Sequence, residues 1–426
     1  MLKVWAIAFF ALLILPYTLT SRVIYWEGVA VLMFFLVAFF LGTISKSYPG
    51  KKLVDQPVFE LLFGKVDLLL MALGLISICV LTIEIIQASS LSTATAYANR
   101  SIQAQALLHG DRSNSSLWFK IGFLTYPASV IYIVRELVFK SKLKVSWLIF
   151  FGLLPGVLAS VAMGGRAPLF CVMAYFFIAY QVRKKLKSSN KHIGLRKNTI
   201  NNLYSKLMVA TGVIVSVFYV VNVYIERANG VGGIELMFDV ADRLWGVTFS
   251  GPVFEMATNI FDIVIVYIFF VVVWYFVQGL IMSTTIFANY SGAPLLGVYG
   301  IDLFSAVARR ISPEGSAANF NYLLDIGVYG FFPSAFGSLY VDFSYGGIVI
   351  AFLWGMFTGM VYGRFRLGED PRWRLIMPFV IFGIFISLIN TPLGFSNGFV
   401  TYFWLFVVFI LIKKRTVNMQ PAQNKC

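Results

Sequence analysis

The stretch Phe331–Gly347, FFPSAFGSLYVDFSYGG, governs the reading of the whole chain. Wound as a helix, it sets Ser334, Ser338 and Asp342 at i, i+4 and i+8, a narrow polar stripe, and gathers Phe332, Phe336, Tyr340 and Phe343 on a separate aromatic face. Gly346 and Gly347 then open a long apolar run. A carboxylate at such a junction needs a partner or a task. Two readings stand. Asp342 or Ser344 caps the helix that follows, or Asp342 is a working group at a membrane boundary.

The surroundings are a membrane protein's. Of 426 residues, 59% are hydrophobic and 12% charged, with a mean hydropathy of +0.81; soluble domains carry about twice that charge. Apolar spans are expected at about 4–20, 27–45, 66–88, 117–138, 146–163, 167–182 and 207–225, and three closing spans at about 346–363, 375–390 and 398–412. The first is read as retained, because no small-residue cleavage site follows it. The loop 46–65, the run 183–206 and the tail are basic. Of the 34 Lys and Arg, 25 fall on one side, which the positive-inside rule makes cytoplasmic together with both termini. The charge of +15 therefore points to lipid headgroups and not to nucleic acid.

Three parts follow: an N-terminal membrane region 1–225, an outer or interfacial region 226–345, and a C-terminal membrane region 346–426. Residues 226 and 346 must share a side, so 263–283 and 326–345 either both cross the membrane or both stay in the outer leaflet. The expected fold is an all-α polytopic protein of 10–12 transmembrane helices, with a large outer loop bearing short amphipathic helices at 233–245 and 300–311.

The outer cations are unusual. Eight of nine are arginine (Arg22, Arg100, Arg112, Arg166, Arg227, Arg243, Arg309 and Arg310), whereas lysine dominates inside. A guanidinium grips phosphate or carboxylate oxygens with two parallel donors, which an ammonium does not. Snorkelling interfacial arginines are the plainer account. Arg166 is best placed, in the turn Gly164-Gly165-Arg166-Ala167-Pro168, where helix-start N–H groups would add to its charge. Asp302, Ser305 and Arg309 share a helical face beside Arg310, while Asp239, Asp242 and Arg243 line the other short helix. Such pairs are read either as acid–base and anion-binding groups or as solvated salt bridges.

Two histidines, three scattered cysteines and no Asp-x-Asp pair offer no metal set, and no nucleotide-binding pattern occurs. No cofactor is expected.

The segment Gly337-Ser338-Leu339-Tyr340-Val341-Asp342-Phe343-Ser344-Tyr345-Gly346 resembles the G-x-x-Y-x-D-F-G-x-x-G ending of Wzy-type O-antigen polymerases, with Ser344 in place of the usual Gly. The Gly-Gly-Arg turn at 164–166, the loop holding Ser291-Gly292-Ala293-Pro294-Leu295 and the three closing spans extend the likeness. The resemblance implies a metal-independent glycosyltransferase of the bacterial inner membrane, facing the periplasm. It would move a growing glycan from undecaprenyl pyrophosphate onto a new lipid-linked oligosaccharide unit, in lipopolysaccharide biosynthesis. A chain-length regulator and a flippase are the partners it implies. Under that reading Arg166, Arg309 and Arg310, then Arg227 and Arg243, hold the pyrophosphate. Asp342, then Asp302, serves as the base, and Tyr340 and Ser338 meet sugar. The main rival is a flippase for the same lipid, which would need charged groups through the bilayer. A polymer ligase would need an outer-loop histidine, and 226–345 has none.

Overall fold

The computed structural model describes residues 24–47, 58–87, 116–140, 143–189, 221–328, 332–367 and 370–417, apart from single positions within them. It also describes 3–10 in part, 19–20, and residues 109 and 218. Residues 88–108 and 110–115, most of the basic run, most of the spans expected at 4–20 and 207–225, and Arg22, Arg100, Arg112 and Arg227 lie outside the described residues.

The helices follow from apolar runs too long to leave backbone unpaired in lipid. The first half of the chain forms α1 (Trp26–Lys46), α2 (Gly64–Gln87), α3 (Leu117–Phe139), α4 (Val145–Ala162) and α5 (Ala167–Ser189). The middle forms α6 (Ile234–Val240), α7 (Gly251–Ile260), α8 (Ile263–Asn289), α9 (Asp302–Ile311) and α10 (Pro313–Asp325). The last part forms α11 (Ser334–Phe343), α12 (Gly347–Leu367), α13 (Trp373–Ile386) and α14 (Gly398–Leu411). Among the described residues five helices are long and apolar enough to cross a membrane, counting α11 and α12 as one, or six with α8. The chain is an all-α multi-pass membrane protein.

Two segments left open by the sequence take definite shapes. α8 is bent by 46° between Tyr275 and Val277. α11 has ten residues, a rise of about 15 Å, half of a bilayer's hydrocarbon core. It runs into α12 through a tight turn at Ser344–Gly346 and does not cross separately.

Among the described residues, two smaller clusters accompany two large apolar cores. One is built from α1, α8, α11 and α12, with Phe35, Phe270, Phe336 and Val341 buried. The other joins α2, α3, α5, α13 and α14 through Val66, Ile131, Tyr175 and Phe379. α1 and α12 approach most closely, because a side chain at Gly42, Gly355 or Gly359 would strike the facing carbonyl of Phe352, Phe39 or Thr43. Small residues at four-residue spacing let membrane helices touch backbone to backbone.

The bundle's ends differ. At one end β2 (Val58–Leu62) pairs antiparallel with β4 (Lys413–Val417), setting Glu60 opposite Arg415. Next to that ribbon Arg135 binds Asp67 and Glu136, and Lys140 reaches Glu136 at 2.6 Å. The turn 163–166, the segment 290–301 and the segment 387–397 gather at the other end. Elsewhere β1 (Leu19–Thr20) pairs with β3 (Thr248–Phe249).

Gly359→Ala should lower the melting temperature of the detergent-solubilised protein, an overpacking cost of about 1–3 kcal/mol. Gly64→Ala, where a new Cβ meets nothing within 4 Å, should leave it unchanged.

Candidate functional site

The polar stripe of α11 does face one side, and Asp342 is 2% exposed. It caps nothing in α12. One carboxylate oxygen accepts the Tyr299 N–H at 2.9 Å and the other accepts the Gly300 N–H at 2.7 Å. The capping expectation is therefore corrected: the acceptor capacity of Asp342 goes to a loop 42 residues away in sequence. The N–H groups of Leu295 and Leu296 add bonds to the carbonyls of Val341 and Asp342 at 3.2 and 2.9 Å. A side chain at Gly300 would meet Asp342 Oδ2 at 2.6 Å, so only glycine lets the backbone come this close.

The same loop is gripped from its other side. Thr391 Oγ1 donates to the Gly300 carbonyl at 2.8 Å and accepts the Gly394 N–H at 3.0 Å. Asn390 Oδ1 takes the Thr391 N–H at 2.7 Å. α11, the loop 290–301 and the turn 387–397 thus close on one another. Ser338 is buried here and donates to the Ser334 carbonyl at 2.9 Å and toward Asn390 Oδ1 at 3.4 Å. Tyr340 is also buried, its ring edge-on to Phe287 at 5.0 Å and to Tyr345 at 5.4 Å. Both residues are packed between protein groups in this arrangement. On the loop, Tyr290 donates to the Ala293 carbonyl at 2.8 Å. Burial first, then the charges of Tyr322 and Asp342, push the Tyr290 phenol up to about 12.

From Gly300 the chain launches α9. Asp302 at its start and Arg310 near its end are exposed, while Arg309 is half-buried and donates from Nε to the Ser305 carbonyl at 3.1 Å. Phe304 anchors the helix on Phe399, ring centroids 5.2 Å apart.

Arg166 reaches the same region by another route. The turn after α4 is tight because Gly164 takes φ +55°. Ser160 Oγ accepts the Leu169 N–H at 2.9 Å, and Pro168 has none to give. The helix start is thus partly spent, and the anion-binding capacity here lies mainly in the side chain. The guanidinium carbon sits 3.4 Å from the Tyr224 ring centroid, and Nη2 donates to the Tyr275 hydroxyl at 3.2 Å. Nη1 is buried and, among the described residues, has no hydrogen-bond partner. Tyr275 then meets Phe332 (6.4 Å), and Phe332 meets Phe395 (6.4 Å), in the turn that holds Thr391.

Arg243 joins neither group. It is 76% exposed and lies 3.8 Å from Asp239, a loose surface pair. Among the described residues no three His, Cys, Asp or Glu side chains come together to ligate a metal. Sequence reasoning missed Tyr224, Tyr275, Gly300 and Thr391. Asn390-Thr391-Pro392 at the end of a span was a visible polar signal, but it reads equally as a helix end.

No family model matches the chain, and no curated protein and no solved structure matches it. The site's chemistry therefore rests on its own residues.

Ser344 holds φ +51°, the half of backbone space that glycine enters freely and other residues enter at about 1–3 kcal/mol. Ser344→Gly should raise the melting temperature in detergent. Asp342→Ala should lower it, since two buried N–H groups lose their acceptor at about 1–3 kcal/mol each.

Proposed function

We propose that this protein is a membrane glycosyltransferase that polymerises lipid-linked oligosaccharide units at the outer face of the bacterial inner membrane. The observation that carries the reading is Arg166. Its guanidinium is stacked on Tyr224 at 3.4 Å, with one Nη buried and unpaired, in a turn between two apolar helices. A cation held with a spare donor at a membrane boundary suits an anionic group on a lipid. Undecaprenyl pyrophosphate presents such a group there. The likeness of Gly337–Gly346 to the polymerase ending supplies the reaction class, and the positive φ of Ser344, where that pattern has glycine, agrees with it.

In the reaction a hydroxyl oxygen of the incoming unit attacks the anomeric carbon of the growing chain. The bond from that carbon to the pyrophosphate oxygen breaks, and its electron pair leaves with the lipid pyrophosphate. The hydroxyl proton passes to a carboxylate. Arg166, with Arg309 and Arg310 from α9, meets the charge that develops on the leaving group. Both oxygens of Asp342 already serve the loop 290–301, so its part is to position α9. Asp302, exposed at the start of that helix, is the base. Arg243 lies too far out in the surface to share this work, and Tyr340 and Ser338 shape the wall from behind.

The reading carries a topology of ten crossings with both termini in the cytoplasm. The pairing of 58–62 with 413–417 supports it, since 413–417 is basic and 58–62 lies within the lysine-bearing loop 46–65 read as inner. The pairing of 19–20 with 248–249 likewise unites two segments read as outer. A chain-length regulator and a flippase are the partners this role requires.

A strain lacking the protein should lose its surface-polysaccharide ladder on a gel and keep lipid core bearing one repeat unit. Bare core with units trapped inside would make the protein a flippase, and an unchanged ladder would sink both readings. Asp302→Asn should cut polymer formation about 100-fold or more while membrane protein levels hold.

A further inference from the structure

Tyr275 enters no part of the scheme above, yet its hydroxyl occupies a telling position. Its oxygen accepts from Arg166 Nη2 at 3.2 Å. A phenol that accepts still has its own hydrogen to give, and among the described residues no acceptor takes it. Beside it, Arg166 Nη1 is buried without an acceptor. One helical turn further along α8, Gln278 is 3% exposed, and its Nε2 is buried without an acceptor as well. Buried donors are nearly always paired, so three unspent donors within one stretch of the bundle call for an acceptor-rich partner from outside the chain.

The arrangement also shows which kind. A neutral sugar hydroxyl offers donors as well as acceptors and would leave some of these N–H and O–H groups facing hydrogens. The phosphoryl groups of a sugar-linked lipid pyrophosphate, a diester with no P–OH left at neutral pH, offer only acceptors. The ring of Tyr224 beneath the guanidinium fixes its plane, and the link to Tyr275 fixes its rotation, so the remaining Nη1 and the phenol hydrogen are set in advance for a tetrahedral oxyanion.

We propose that Tyr275 is a second phosphoryl-binding residue, donating its hydroxyl hydrogen to the same anion that Arg166 Nη1 holds, with Gln278 as the third donor. This rests on the polymerase reading for the identity of the lipid, but the donor set itself does not. The bend of α8 between Tyr275 and Val277 places Tyr275 and Gln278 in different halves of the helix.

The test uses the full-length protein in nanodiscs with a short polyprenyl pyrophosphate as probe. Inorganic phosphate and anionic phosphatidylglycerol vesicles are run beside it. Tyr275→Phe keeps the ring contacts with Tyr224 and Phe332 and removes the phenol hydrogen together with the oxygen that accepts from Arg166 Nη2. The expected result is a probe Kd at least tenfold weaker, with the unliganded melting temperature lowered only slightly by the lost Arg166 hydrogen bond. Gln278→Met should weaken binding in the same direction. Equal Kd values for wild type and Tyr275→Phe would overturn the proposal, as would a Tyr275→Phe loss matched by an equal fall in unliganded stability. Competition by phosphatidylglycerol as strong as by the pyrophosphate would keep the phosphoryl site but assign it to a structural lipid headgroup. A strain lacking the protein that still makes a normal ladder, with probe binding intact, would remove the polymerase reading and leave this site standing.

Discussion

The carboxylate of Asp342, buried and bonded through both oxygens to the backbone of Tyr299 and Gly300, is the constraint on which this end of the bundle depends. Taking a carboxylate out of water costs several kcal/mol, and it is tolerated where its lone pairs are met. Here the meeting groups are amide N–H groups of a loop that would otherwise have unpaired backbone in an apolar setting. Each side thus solves the other's problem. The loop then has one seat, and Thr391 closes that seat from the opposite face. Whatever α9 presents is presented from there.

The opposite end spends its charge differently. Arg135, Asp67, Glu136 and Lys140 neutralise one another, and Arg372 folds back on Asp370 at 2.9 Å. At the end that holds the turn 163–166, the side-chain partners of Arg166 among the described residues are Tyr224 and Tyr275, and α9 carries two arginines on a partly exposed helix. Ion pairs that satisfy each other clamp helices. Cations seated on rings without a carboxylate keep their charge available to a ligand.

Much of this was written in the local sequence. The i, i+4, i+8 spacing of Ser334, Ser338 and Asp342 gave the helix and its polar face, Gly-Gly-Arg-Ala-Pro gave the turn, and the apolar faces of 233–245 and 300–311 gave two short helices. Gly355 and Gly359 also announce a close helix contact by spacing alone. The partners were another matter. Arg166 meets Tyr275 109 residues away, and Thr391 meets Gly300 across 91. Tyrosine and threonine are common at membrane boundaries for reasons of burial alone, so no composition or period singles out these two. The bend in α8 lies between two residues that break no helix, and the half beyond it is tightly packed. A side chain at Gly279 would strike the Leu388 carbonyl, and Ser283 binds the Pro333 carbonyl and lies 2.6 Å from the Ser334 hydroxyl.

That packing also explains why an arginine, and not a lysine, suits position 166. An ammonium on a flexible stem would be drawn onto the Tyr224 face as a point charge, with no second direction left to define. A planar guanidinium can lie flat on the ring, spend one Nη on Tyr275 and still hold the other at a fixed angle. On the function proposed above, a lipid anion diffusing in the membrane plane would arrive with its head at a set height but in any rotation. A site that has paid for orientation beforehand loses less on capturing it, and when charge later builds on the same oxygens the donors need not move. The aromatic bracket is therefore part of the electrostatics: it converts a charge near the membrane into one with a direction.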